Sequence, residues 1–279
     1  MQDSNTVKPT FIKWALSVFG IYAIFWMAYQ LCAVEIDRSH PSWLYCVYFT
    51  LATISFLLFC HKVVFNKWPS VSVSDLIKIP IEFIIGLLIG VVQLFLSFVV
   101  MYLCGARFDI SPSGTFSSQI IIYLFRYFYV AIVEEAIYRG LIFPIVSRRY
   151  GVIIAAITSS IMFGMLHLFN NGITWLSFIS TVIWGFEVCI AYCIFNNLAI
   201  SSGIHLGWNV TIGLLCGMNL SGFSIPCSYF ITNISGPDII IGRDFGPEES
   251  IIMIPMTVIF SVALFFICKK TNRANLLNK

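Results

Sequence analysis

The chain has 279 residues and a net charge of +3, and 59% of its residues are hydrophobic while only 10% are charged. Soluble domains carry about a quarter charged residues, so this composition excludes a soluble globular fold. No cluster of Lys and Arg stands out along the chain, which argues against a nucleic-acid-binding protein. The composition predicts an all-α, polytopic membrane protein.

Eight apolar stretches have about the 20 residues that carry a helix across a bilayer. They are residues 14–33, 43–61, 81–103, 119–146, 152–169, 175–195, 198–218 and 251–268. The first stretch lacks a small-residue cleavage pattern and is followed by further spans, so we expect it to be retained rather than removed as a signal peptide.

Lys and Arg near the spans indicate the cytoplasmic side, where these residues are enriched. If the eight spans alternate, three basic residues lie on the outer side, namely Arg38, Arg107 and Arg243. Eleven lie on the other side: Lys8, Lys13, Lys62, Lys67, Lys78, Arg148, Arg149, Lys269, Lys270, Arg273 and Lys279. The predicted topology therefore places both termini in the cytoplasm.

Two membrane regions are expected along the chain. Residues 1–118 form an N-terminal region of three helices, and residues 119–279 form the region that carries the candidate site, an outer loop at 219–249 and the final helix. The outer loop mixes Ser, Gly, Pro and Asn with apolar residues. This mixture favours a segment that lies on the membrane surface or over a cavity, with a simple surface loop as the alternative.

Ionisable residues inside a bilayer are functional candidates, because each costs several kcal/mol there. Glu135 and Arg139 lie four residues apart in the fourth span, on one helical face, where they can form an ion pair. Glu134 is rotated by about 100° around the same helix and points in another direction. We interpret Glu135 and Arg139 as structural support and Glu134 as a candidate catalytic group.

Further polar residues follow in the next spans. His167 ends the fifth span one turn after Phe163, and His205 shares a helical face with Asn209 in the seventh. If these faces converge on Glu134, one carboxylate, two imidazoles and an amide surround a cavity within the lipid. Such a set suits hydrolysis of an amide bond: the carboxylate is a base toward water, a histidine orients the water or carries its proton, and a histidine and an amide stabilise the oxyanion.

Structural interpretations of the same residues stay open. Glu134 can pair with Arg126, and His205 with Asn209 can bridge transmembrane helices. Glu187 in the sixth span has no evident partner, so it can pair with Arg126, stay protonated or face the cavity. A proton relay in a transporter is a further alternative, although a relay would spread its ionisable groups across the bilayer.

Three motifs resemble the CPBP intramembrane proteases, which include the type II CAAX prenyl proteases and bacterial bacteriocin-processing and self-immunity proteins. The family pattern is Glu-Glu-x-x-x-Arg, Phe-x-x-x-His and His-x-x-x-Asn on successive helices. The chain carries all three in order, as Glu134, Glu135 and Arg139, then Phe163 and His167, then His205 and Asn209. The resemblance covers about residues 119–217.

The resemblance implies an endopeptidase that cleaves near a membrane-embedded or lipidated segment. It implies that Glu134 is the base, that His167 helps to activate water, and that His205 and Asn209 form the oxyanion site. It leaves a zinc cofactor open: no His-Glu-x-x-His helix is present, but Glu134, His167 and His205 are residue types that can ligate zinc.

The outer loop at 235–248 also resembles bacterial members of the family, so we expect a bacterial inner membrane protein. Its implied partners are a membrane-associated polypeptide substrate and the lipid bilayer. Prenylated substrates are scarce in bacteria, and the resemblance does not identify a prenyl protease. The alternative function is that of a non-catalytic membrane protein that binds a toxin and confers immunity.

Overall fold

The computed structural model describes Leu58, residues 73–113 and residues 119–270. Both chain termini and nearly all of the first two predicted spans lie outside the described residues. Within them the fold is mostly helical. The helices are α1 (Val73–Leu103), α2 (Gln119–Ile137), α3 (Phe143–Tyr150), α4 (Val152–Leu166), α5 (Trp175–Phe195), α6 (Leu198–Asn209), α7 (Asp238–Ile241) and α8 (Met253–Lys270).

Three helical segments of the described chain are long and apolar enough to cross a membrane: Ile77–Leu103, Trp175–Phe195 and Leu198–Leu215. Two shorter apolar helices, Val152–Leu166 and Met253–Ile267, accompany them. Many large apolar side chains on these helices are exposed, as expected of surfaces that face lipid. The protein is therefore an integral membrane protein.

Helices α1 and α6 approach each other so closely that their backbones touch. Gly86 and Gly90 of α1 lie against backbone carbonyls of α6, and Gly203 and Gly207 of α6 lie against backbone carbonyls of α1. A Cβ at any of these positions would collide with the facing backbone. Small residues at the contact permit this approach, and the packing fixes α6, the helix that carries the third motif.

The fourth predicted span is not one regular helix. Helix α2 passes at Ile137 into a π-helical segment, Tyr138–Ile142, and continues as α3, where Pro144 occupies an early position that suits proline. A second π-helical segment, Val210–Leu215, follows α6. Such wide turns are frequent at functional sites. Here the first contains Arg139, the last residue of the first motif, and the second directly follows Asn209 of the third motif.

The connection between α5 and α6 is set by local capping. Thr174 and Ser177 form a reciprocal capping box at the start of α5. Helix α5 ends where Asn196 adopts a left-handed backbone conformation with φ 55°. The side chain of Asn197 then accepts a hydrogen bond from Ala199 N and begins α6. The two helices are thus joined by a tight reversal.

Two short strands join the predicted outer loops. Strand β1 (Arg107–Pro112) pairs antiparallel with β2 (Phe230–Ser235), with Arg107 opposite Ser235 and Pro112 opposite Phe230. The prediction of an all-α fold misses this sheet, because its pairing depends on a contact between distant segments that leaves little local signal. The outer loop also contains α7 and a 3₁₀ turn, Pro247–Glu249.

Candidate active site

The centre of the candidate site lies where the end of α2 meets α6 and α5. The predicted ion pair is present: Arg139 Nη1 donates to Glu135 Oε1 at 2.9 Å, and both side chains are fully buried. Arg139 Nη2 also donates to the carbonyl of Gly185 in α5 at 2.6 Å. The guanidinium therefore links α2 to α5 as well as holding Glu135.

His205 contacts both members of the glutamate pair. Its Nδ1 lies 3.2 Å from Glu135 Oε1, and its Nε2 lies 3.8 Å from Glu134 Oε2. Because Arg139 holds Glu135 as a hydrogen-bond acceptor, Nδ1 donates to this carboxylate. The other ring nitrogen is thereby directed towards Glu134. The first and third motifs therefore meet at His205 in the structure.

Aromatic rings enclose His205 on two sides. The Trp184 ring of α5 packs edge to face on it with centroids 5.0 Å apart, and the Phe163 ring of α4 lies at 6.0 Å. The Phe163 ring also lies 5.0 Å from the Arg139 guanidinium carbon. These rings cover two sides of the imidazole with apolar surface and restrict its orientation.

His167 lies at the carboxyl end of α4 and reaches the cluster through Phe163. The two rings have centroids 5.0 Å apart, and His167 Nδ1 lies 3.0 Å from the carbonyl oxygen of Phe163. A carbonyl only accepts hydrogen bonds, so Nδ1 carries the proton. The Nε2 of His167 is then a hydrogen-bond acceptor.

Asn209 is the last residue of α6 and is 6% exposed. It follows His205 by one helical turn, so both side chains lie on the same face of the helix. The π-helical segment begins at the next residue. The structure thus places a buried amide one turn from the imidazole of His205.

Glu187 does not pair with Arg126. It accepts a hydrogen bond at 2.8 Å from Gln93 of α1, and both side chains are fully buried. Arg126 instead lies over the ring of Tyr123, 5.8 Å from its centroid. The contact between Gln93 and Glu187 therefore joins α1 to α5 by a buried polar bond.

Two neighbouring carboxylates hold the outer loop against the helices. Glu248 Oε1 accepts from Trp208 Nε1 at 2.8 Å, and Glu248 Oε2 accepts from the backbone N and the Oγ of Ser221 at 2.5 and 2.8 Å. Glu249 accepts from Thr174 Oγ1 at 2.9 Å and pairs with Arg243 at 2.8 Å. Burial raises the pKa of the Glu248 carboxyl, and the bonds from Ser221 and Trp208 partly offset this effect.

The residues that can ligate zinc do not form a metal site here. Among the residues that the structure describes, no group of three or more His, Cys, Asp and Glu side chains is arranged to hold a metal ion. His205 directs one nitrogen to Glu135, and His167 directs one to a backbone carbonyl. These contacts engage Nδ1 of each ring and leave Nε2 as the nitrogen that could bind a ligand.

Comparison with known families identifies the region around this cluster. Residues 116–211 match the family described as type II CAAX prenyl endopeptidase Rce1-like. The match confirms the resemblance that the motifs indicate, and the family is one of intramembrane proteases. No curated protein and no solved structure gives a significant match to the chain.

Several residues that shape the candidate active site were not predicted from the sequence. A side chain at Gly185 would crowd the site, because a Cβ there would lie 3.3 Å from both Arg139 and Phe163. Trp184 packs on His205, and Gln93 was the missed partner of Glu187. Gln93 carried a usable signal, since it is a polar residue in the middle of an apolar span, whereas nothing local distinguishes Trp184.

Proposed function

We propose that the protein is an intramembrane endopeptidase that hydrolyses a peptide bond of a membrane-embedded or membrane-associated polypeptide with water activated by Glu134. The observation that carries this proposal is the approach of Glu134 Oε2 to His205 Nε2 at 3.8 Å inside a buried cluster. The match of residues 116–211 to the Rce1-like family supports the same class of reaction.

Glu134 is the proposed general base. The separation of 3.8 Å from His205 is longer than a hydrogen bond but short enough for one water to contact both groups. The carboxylate takes a proton from this water as its oxygen attacks the carbonyl carbon of the substrate. Glu134 then gives the proton to the leaving amine as the carbon–nitrogen bond breaks, which restores the carboxylate.

Glu135 and Arg139 are proposed to orient this reaction without touching the substrate. Glu135 accepts from Arg139 and from His205 Nδ1, and Arg139 is anchored on Gly185. This set of bonds determines which nitrogen of His205 faces Glu134. Preorganised donors of this kind need no rearrangement as charge develops.

His205 and Asn209 are the proposed oxyanion donors. In this role His205 donates through Nδ1 to Glu135, and donation to the oxyanion requires a proton on Nε2 as well. The Asn209 amide donates from one turn farther along the same face. The surrounding aromatic rings lower the local dielectric constant, which strengthens both interactions.

His167 is proposed to assist the attacking water. Its Nδ1–H is committed to the Phe163 carbonyl, so its Nε2 accepts a hydrogen bond from a water molecule. This role suits a neutral imidazole, which orients the water before Glu134 removes its proton. The contact between the Phe163 ring and both histidine rings fixes the position of His167 relative to His205.

The proposed location is a bacterial inner membrane with both termini in the cytoplasm. The distribution of Lys and Arg and the outer-loop resemblance support this proposal. Reporter fusions after Lys67 and after Arg148 should both report the cytoplasm. Labelling of a cysteine placed beside Arg148 from the outside alone would reverse the orientation.

Cleavage by the purified protein tests the proposed function. The wild type in lipid nanodiscs is incubated with a panel of single-span membrane peptides, and the fragments are identified by mass spectrometry. We expect internal cleavage of at least some peptides by the wild type and none by a folded Glu134→Gln variant. Equal cleavage by both proteins would remove Glu134 from the chemistry.

A further inference from the structure

The outer loop contacts the candidate active site through one carboxylate. Glu248 receives three hydrogen bonds, two from Ser221 within the loop and one from the indole N–H of Trp208 in α6. This last bond joins the loop to the helix that carries His205 and Asn209. Trp208 is 4% exposed, so its indole N–H needs this acceptor inside the protein.

A continuous row of rings leads from this bond to the proposed catalytic base. The Trp208 ring lies 5.9 Å from the Trp184 ring, and the Trp184 ring lies 5.0 Å from the His205 ring. His205 Nε2 in turn lies 3.8 Å from Glu134 Oε2. Each ring contacts the next, so the orientation of Trp208 bears on the position of His205.

We propose that Glu248 is a positioning residue for the reaction: it fixes the Trp208 indole and, through Trp184, holds the His205 ring beside Glu134. This inference rests on the proposed function and extends it to the outer loop. The loop is thereby part of the active-site structure.

A carboxylate suits this position better than an amide. Glu248 presents acceptors on both oxygens and receives donors on both. Glutamine has one acceptor oxygen and one NH₂ group, which is a donor. After substitution this NH₂ group would face a donor of either Trp208 or Ser221, and the hydrogen bond at that position would be lost. The Glu248→Gln variant keeps the shape of the side chain and breaks its bonding pattern.

Glu249 is a matched control on the same 3₁₀ turn. Its bonds run to Thr174 at the start of α5 and to Arg243 within the loop, and they stabilise the loop without joining Trp208. A general loss of loop stability would therefore result from either substitution. A loss of positioning would result from Glu248→Gln alone.

Steady-state kinetics on a membrane peptide that the wild type cleaves measure the effect on the reaction. Misplacement of a catalytic group by about 1 Å costs up to about 100-fold in rate, so we expect Glu248→Gln to lower kcat by about 10-fold to 100-fold per folded molecule, with little change in KM. Trp208→Phe keeps a ring and removes the N–H, and it should cause a similar loss. The double variant should lose no more than the worse single variant, because both changes break one bond.

The indole N–H signals in an NMR spectrum measure positioning without relying on activity. The Trp208 and Trp184 signals are assigned by their loss in Trp208→Phe and Trp184→Phe variants. Glu248→Gln should shift both signals, and Glu249→Gln should leave both in place and keep kcat within about twofold. An unshifted Trp184 signal in Glu248→Gln, or a full kcat in that variant, would overturn the inference.

Failure of the proposed function gives a different pattern. An active Glu134→Gln variant, or a wild type that cleaves no peptide, contradicts the protease mechanism while the NMR shifts still report whether Glu248 positions the rings. An inactive Glu134→Gln variant together with a fully active Glu248→Gln variant contradicts only the positioning role.

Discussion

Two pairs of adjacent glutamates, one within the helices and one in the outer loop, use carboxylates in different ways. In the loop, Glu248 and Glu249 are both engaged by short bonds to neutral donors and to Arg243. In the helical pair, Glu135 is engaged by Arg139 at 2.9 Å, whereas Glu134 approaches His205 at 3.8 Å.

This difference shows that the same dipeptide, Glu-Glu, can hold a structure together in one place and carry a candidate proton acceptor in another. A carboxylate held by several short bonds is a structural group, since moving it would leave its donors unsatisfied. A carboxylate that faces an imidazole, as Glu134 faces Nε2 of His205, is placed to exchange a proton with a substrate water. Among these four acids, Glu134 is the one that faces Nε2 of His205.

The largest expected effect is on turnover by Glu134→Gln. Removal of the general base should lower kcat by about 100-fold to 10,000-fold, while the melting temperature stays near that of the wild type. Fragment formation and a thermal melt on the same sample measure the two quantities. Equal losses of folding in Glu134→Gln and Glu135→Gln would make both glutamates structural.

The oxyanion donors should give the next largest effect. Asn209→Ala should lower kcat by about 100-fold to 1000-fold with little change in KM, because the amide bond strengthens as charge develops. His205→Ala should produce a comparable loss, and the double variant should lose less than the product of the two. If Asn209 only bridges helices, its removal should cost about 1 kcal/mol of stability and leave turnover per folded molecule unchanged.

Glu135→Gln should act mainly on stability. Arg139 would be left buried beside a neutral amide, and breaking a buried pair in this way costs about 3 to 5 kcal/mol. Chemical denaturation in mild detergent measures the free energy of unfolding, with Glu249→Gln as a control that breaks a more exposed pair. A stability equal to that of the wild type would contradict the structural role of Glu135.

A smaller effect is expected on the pH dependence of stability, where the wild type should differ from the Glu248→Gln variant. Its folded pKa is raised by burial, so the folded state binds its proton more tightly than the unfolded state does. The stability of the wild type relative to Glu248→Gln should therefore fall as pH rises from the ordinary carboxyl pKa through the raised one. Thermal melts of both proteins across this range test the sign, and a rising difference would contradict it.

Removal of metal should have the smallest effect on activity. Glu134, His167 and His205 do not form a three-ligand site in the described part of the chain, and we expect kcat to survive treatment with a strong chelator. Metal analysis of the active protein before and after treatment is the measurement. Stoichiometric zinc, with activity lost on stripping and restored on adding it back, would reverse this prediction.

The sequence predicts the helices of the site well because their signals are local. The apolar stretch at 175–195 coincides with α5, and the spacing of Glu135 and Arg139 predicts their ion pair. The sequence raises the approach of Glu134 to His205 only as a condition, because periodicity within each span does not specify how the spans pack against one another.

Contacts between distant segments could not be predicted in the same way. The pairing of β1 with β2 and the bond from Trp208 to Glu248 join segments whose local composition carries no trace of the partner. The π-helical segments at the first and third motifs also leave no recognisable pattern of residues in the sequence. These features depend on tertiary packing, and the periodicity of residues within a segment does not reveal which distant segment packs against it.

Isotope labelling of the product tests the central proposal most directly. The wild type and a substrate peptide that it cleaves are mixed in water enriched in ¹⁸O, with enzyme in excess so that each molecule turns over once. Direct attack by water predicts one ¹⁸O atom in the new carboxyl group of the fragment and unlabelled Glu134, with no fragment formed by Glu134→Gln. The proposed mechanism would be contradicted if the new carboxyl group of the fragment contained no ¹⁸O, or if ¹⁸O were incorporated into Glu134. Either result would show that the Glu134 side chain itself attacks the peptide.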